Sequence, residues 1–232
     1  MLKEKTLDLL KNSNIDFKNI FSICIGKSYL FQSRFIDYLG EYNRWDTDIE
    51  KGILKLDEKT FNVEYIGTTS SSDNYWYSAE LEKVIPIEYV NLMINAKRTM
   101  QSLGLGQLTK GEILLNNDIN GYNLSMIYLA FAPESVAYFC GSGNTTIYMF
   151  VKNLPKDMFK KMNSIEFSNR VMEIISTFNV NHKLMVKALL IENDIEYIEN
   201  QNEIIAKFNE KSILTVKFDE KGTVNISGKL SV

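Results

Sequence analysis

The sequence predicts an α+β protein whose antiparallel sheets, built as meanders, are each covered on one face by helices. Three observations carry this. Phe61, Val63 and Tyr65 alternate with Asn62, Glu64 and Ile66, the period of two of a strand. Phe17, Ile20, Phe21, Cys24, Phe31, Phe35 and Leu39 recur at helical spacing, one stripe of a long helix. Connections between the strand-like stretches are too short for crossovers, so neighbouring strands run antiparallel.

Taken in order, Leu2 to Lys11 reads as a short helix. Asp16 suits an N-cap for the long helix that ends at Gly40. Asn43–Ile49 and Gly52–Asp57 read as two short strands, followed by the central aromatic pair. That pair spans Phe61 to Leu81 without a helical turn and bends at Gly67 and the small polar run Thr68–Asn74. By parity Trp76, Ser78 and Glu80 share one face of the second strand, and Tyr75, Tyr77, Ala79 and Leu81 the other. Ile87–Leu103 is the next helix, with Pro86 tolerated before its first turn. Asp118 is placed to cap a helix running to Pro133. Ser135–Cys140 and Thr145–Val151 flank Gly-Ser-Gly-Asn, a hairpin signature.

A proline and charges in Asn153–Asn163 interrupt the pattern, which places a boundary there and gives two domains, 1–152 and 164–232. After it come helices over Ile165–Phe178 and Asn181–Glu192, and then four strands. Turns are expected at Asn209–Ser212 and Asp219–Gly222, and Lys207, Lys217 and Asn225 mark one face of this second meander as wet.

Composition excludes several functions. At 232 residues, 45% hydrophobic and 24% charged, the chain is ordinary globular material. The formal net charge is −3 with no run of Lys or Arg, so no nucleic-acid footprint is present. No uncharged apolar run reaches about 18 residues, so no membrane span is expected. Two cysteines, Cys24 and Cys140, are too few for a disulfide framework, which points to the cytoplasm.

Motifs with chemical meaning do not survive inspection. Ile25-Gly26-Lys27-Ser28 has the end of a phosphate-binding loop, but Phe21 stands where its first glycine belongs and the stretch is helical. Asn116–Gly121 has the oxygen spacing of a calcium loop, but Ile127 stands where the bidentate carboxylate belongs, which leaves a helix-capping turn. His182, the only histidine, has no particular serine or cysteine marked for a catalytic relay with it, and it opens a helix. No catalytic residue, metal site or cofactor is assigned. The binding candidates are Trp45, Asp46, Asp48, Trp76 and Glu80, aromatic groups beside carboxylates on strands. Tyr77 lies on the opposite face from Trp76 and Glu80, so the whole set cannot line one cleft.

The pieces Trp45-Asp46-Thr47-Asp48, Gly52-Ile53-Leu54, Ile66-Gly67-Thr68-Thr69-Ser70 and Tyr75-Trp76-Tyr77-Ser78-Ala79, with the later hairpin, resemble an uncharacterised bacterial family of unknown function over residues of about 45–151. Where that family repeats tryptophan two residues apart, this chain has Ser78 and Glu80. The order of elements also resembles small bacterial secretion-chaperone-like domains, which implies binding of other proteins. The expectation is therefore a non-enzymatic protein-binding module of the adaptor, chaperone or immunity type, with a second copy of the chain as a further candidate partner. The alternative is a small-molecule or glycan-directed enzyme using Asp46, Asp48 or Glu80.

Overall fold

A computed structural model describes residues 1–209, 212–219 and 224–230. The fold is α+β with two antiparallel sheets. The chain forms two compact units: Leu30–Phe159 with Met1, and Leu2–Tyr29 with Lys160–Val232. The sequence places residues 1–29 with the first half. Contacts group residues 2–29 with the C-terminal elements instead, because their partners there are far away in sequence and leave no local signal.

The first unit is organised around the 12-residue strand β3 (Lys59–Ser70). β1 (Trp45–Asp48) pairs with β2 (Ile53–Leu56), and β2 pairs with residues 59–62 of β3. β4 (Tyr75–Ser78) pairs with residues 67–69 of β3 and with β5 (Glu112–Leu114). The hairpin β6 (Val136–Ser142) and β7 (Thr145–Lys152) joins the same sheet, β7 lying along residues 62–70 of β3. Register shifts between Tyr65 and Gly67, a bulge that bends the strand and accommodates two consecutive buried side chains, Tyr65 and Ile66.

Four expectations need correction in this unit. The break expected at Gly67 and Thr68–Asn74 comes later, because β3 runs on through Gly67 to Ser70, paired with β4 and β7. The aromatic strand ends at Ser78, and Ala79–Leu81 forms one 3-10 turn, closed by Glu82 N–H donating to the Ala79 carbonyl (3.1 Å). The turn starts the chain toward helix α3 (Asn91–Ser102), whose Lys97 takes the Glu80 carboxylate. The helix expected from Ile87 begins as a separate 3-10 turn at Ile87–Tyr89, and α3 proper starts at Asn91. The cap of α4 (Gly121–Phe131) is Asn120, not Asp118; its side chain accepts from Asn123 N–H (2.9 Å). Asn116 accepts from the N–H groups of Asp118 and Ile119, the local turns expected before a helix cap.

Alternation along β3 predicts one dry face, yet both are covered. Glu64, on the face of the polar residues, is 5% exposed. It is satisfied by Lys152 Nζ at 2.7 Å and by Leu92 N–H at 2.7 Å. The opposite face receives the second half of helix α2 (Phe17–Leu39), where Phe35 meets Phe61 edge-to-face at 5.6 Å.

In the second unit α1 (Glu4–Lys11), the first half of α2, α5 (Ser164–Thr177) and α6 (His182–Glu192) accompany a four-stranded meander. Its strands β8 (Glu196–Glu199), β9 (Glu203–Asn209), β10 (Ser212–Phe218) and β11 (Val224–Leu230) lie in sequence order. The two turns expected there, at residues 210–211 and 220–222, lie outside the described residues. Asn163 and Asn181 cap α5 and α6. Ile204, Ala206, Leu214 and Val216 form the buried face, with Phe167 of α5 against Phe208 at 5.3 Å. Gly26 allows α2 to approach α6: a Cβ there would sit 3.3 Å from that of Leu189. Asp16 caps α2 through Asn19 N–H (2.7 Å), and Gly40, at φ +65°, ends it.

Candidate functional site

The five residues singled out from sequence do not meet. Trp45 is half-buried, Asp46 is exposed and Asp48 binds its neighbour Lys51 at 2.7 Å. The Lys51 hydrogen bond holds the Asp48 carboxyl below its usual value. Trp45 is aligned through Leu56 with Lys59, whereas Trp76 is aligned with Thr69. Ten positions of β3 separate the two levels, about 30 Å along a strand.

Trp76 instead belongs to a buried aromatic cluster, with the solvent-reached Glu80 at its margin. Trp76 is fully buried, stacked on Tyr128 at 6.2 Å and tilted against Tyr148 at 5.3 Å. Gly67 makes room for it, since a Cβ there would lie 2.4 Å from the indole ring. The Tyr128 hydroxyl donates to the Leu108 carbonyl (2.9 Å), and burial, helped by the nearby Glu80 charge, pushes its phenol well above the ordinary value. Glu80 itself is neutralised by Lys97, which is 5% exposed. The Trp76 indole N–H makes no hydrogen bond. A paired carboxylate, a protonated phenol and a stacked indole make a framework, not an acid–base pair.

Lys97 could have been found earlier. Met93, Ala96 and Met100 are the buried stripe of α3, and Lys97 falls within it, so a charge on an apolar face was the signal for a buried partner.

The cysteines do not offer a nucleophile. Cys24 and Cys140 are free and buried; burial raises the Cys24 thiol and pushes Cys140 up to about 12. Among the described residues no group of three or more His, Cys, Asp or Glu could hold a metal ion, and no helix is long and apolar enough to cross a membrane.

A different feature appears in the second unit. A groove of about 1260 Å³ runs between α1 and the outer side of β8–β10, and its apolar lining is Leu9, Ile191, Ile195, Ile198, Ile205 and Ile213. Ile198 and Ile205 are directly opposite each other across the β8–β9 pair. Ile198 is 65% exposed and Ile213 38%. Two ion-pair clusters border it. Asp194 binds Lys3 (2.6 Å) and Lys161 (2.8 Å), and Glu199 binds Lys187 (2.7 Å) and Lys183 (2.9 Å). Hydrogen bonds from Lys161 and Lys3 bring the Asp194 carboxyl down to about 2, and those from Lys187 and Lys183 lower Glu199. The wet face expected from Lys207 and Lys217 is therefore only partly polar.

Residues 18–154 match the profile of a family of unknown function, DUF6882. The chain belongs to DUF6882. The matched segment runs from the start of α2 to just past β7, so the buried Trp76 cluster is part of the DUF6882 region. The isoleucine groove, formed by α1, α6 and β8–β10, lies outside it. No curated protein and no solved structure matches the chain.

Proposed function

We propose that this DUF6882 member is a non-enzymatic module that binds another protein, in the cytoplasm, in the manner of an adaptor, chaperone or immunity protein. The observation that carries the reading is the isoleucine groove of the second unit, an open apolar surface bordered by fixed charges. Large exposed apolar patches with polar rims are what soluble proteins offer to partners. Further support comes from the first unit, in which the residues best suited to chemistry are already engaged: Trp76 by packing, Glu80 by Lys97 and Glu64 by Lys152. Asp46 and Asp48 lie together on β1, at the other end of β3 from Glu80, so the three carboxylates do not share one site.

The test is affinity capture on the full chain from lysate of its native cell, followed by calorimetry between the purified chain and each protein recovered. A saturable complex of fixed stoichiometry is expected. Absence of any binary complex refutes the reading.

A further inference from the structure

We infer that the groove is a strand-addition site: the free edge of β8 takes up a short, extended, largely uncharged segment of a partner protein. The inference rests on the protein-binding reading and names the form of the ligand. It starts from the hydrogen-bond parity of β8. Asn200 N–H donates to the Glu203 carbonyl (2.9 Å) and so closes the β8–β9 turn. Bonded pairs alternate from there in an antiparallel ladder, so Ile198–Ile205 and Glu196–Lys207 are bonded pairs. Tyr197 and Glu199 then turn their N–H and C=O groups away from β9. Among the described residues no backbone partner reaches these groups, and β8 is the end strand of its sheet.

An end strand with open backbone groups is a template for another strand. Ile198 is itself mostly exposed, so nothing shields the edge from that side. Added beside β8, an extended segment would set alternate side chains next to Ile198, on the face that continues to Ile205, with Leu9 of α1 also lining the groove.

Size and charge select the occupant. β8 has four residues and α1 eight, so the groove is about 12–13 Å long and holds four or five extended residues. Such a segment buries far less than the roughly 800 Å² per partner of a stable interface between folded surfaces. A linear segment fits, and a second copy's folded face does not. Among the described residues, the rim charges that make no ion pair are Glu4, Lys5, Glu196 and Lys207, two of each sign. A strongly charged segment gains nothing there, whereas an uncharged one with alternating apolar residues does.

The experiment pans the full chain against a phage-displayed library of random eight-residue peptides and synthesises those enriched. Enriched peptides should alternate apolar residues and carry little charge. In the wild-type chain they should slow hydrogen exchange at the Tyr197 and Glu199 amides. Ile198→Asp, an exposed substitution that leaves the ladder intact, should weaken them at least tenfold, and Ile205→Lys, at the position directly opposite on β9, should weaken them as well. Failure to enrich any peptide overturns the inference. So does binding unchanged in both variants, or binding that protects neither amide. If the captured partner binds Ile198→Asp and Ile205→Lys as it binds wild type, the strand-addition site is wrong and protein binding stands. If no partner complex forms at all, the protein-binding reading is the one that fails.

Discussion

The Glu80–Lys97 pair makes an asymmetric prediction. The Lys97 side chain is 6% exposed and that of Glu80 is 32% exposed. Removing one member of a fully buried pair costs about 3–5 kcal/mol, because the other charge is left without compensation. Glu80→Ala leaves the ammonium in a place water does not reach and should cost about 3 kcal/mol. Lys97→Met leaves a carboxylate that water already reaches. The discount for that exposure brings the cost to about 1 kcal/mol, since partly solvated pairs are worth little. Urea unfolding at neutral pH measures both. With a slope of about 2 kcal/mol/M, the midpoint falls by roughly 1.5 M for Glu80→Ala and roughly 0.5 M for Lys97→Met. Equal losses, or a larger loss for Lys97→Met, would refute the argument that the lysine is the group held away from water.

Gly67→Ala should destabilise the first unit by at least about 2 kcal/mol, since its Cβ would meet the Trp76 ring at 2.4 Å and the Tyr77 carbonyl oxygen at 2.5 Å. Denaturant unfolding checks the loss, and an unchanged midpoint would mean that the strands do not approach as described. Asp194 has its folded carboxyl lowered to about 2 by Lys161 and Lys3, so the stability it contributes is present above its ordinary value of 3.8 and lost as pH falls toward 2. Asp194→Asn should accordingly match wild type near pH 2 and fall below it above pH 4, as read by thermal unfolding across that range. Lys27 is pushed below its ordinary 10.5, chiefly by desolvation. The native state thus binds fewer protons than the unfolded one just below pH 10.5, and wild-type stability should rise through that window relative to Lys27→Met. A difference between the two that does not change with pH would count against it.

The elements themselves were legible from local residues. Asp16 and Gly40 bracket α2, and Gly143 with Asn144 marks the β6–β7 turn. Alternation at Phe61, Val63 and Tyr65 announces β3, because spacing of apolar groups and backbone-specific residues act within a few positions. The end of β4 was less so. Nothing between Ser78 and Leu81 signals the 3-10 turn; its setting is the ion pair with Lys97, seventeen residues on. The candidate site was legible only as residue types. Sequence identified Trp76 and Glu80 as unusual strand residues and placed them on one face, but pairing decided that Trp45 lies about 30 Å away along β3.

Composition and periodicity alone determined an antiparallel α+β chain without a catalytic motif, since these follow from side-chain polarity and short connections. Only tertiary structure decided that residues 2–29 pack with α6, that Glu64 and Lys97 are buried against opposite charges, and that Ile198, Ile205 and Ile213 line one groove. The reason is the same in each case. Burial and charge pairing depend on which distant segment arrives, and two strands with the same alternation become dry or wet according to what is laid upon them.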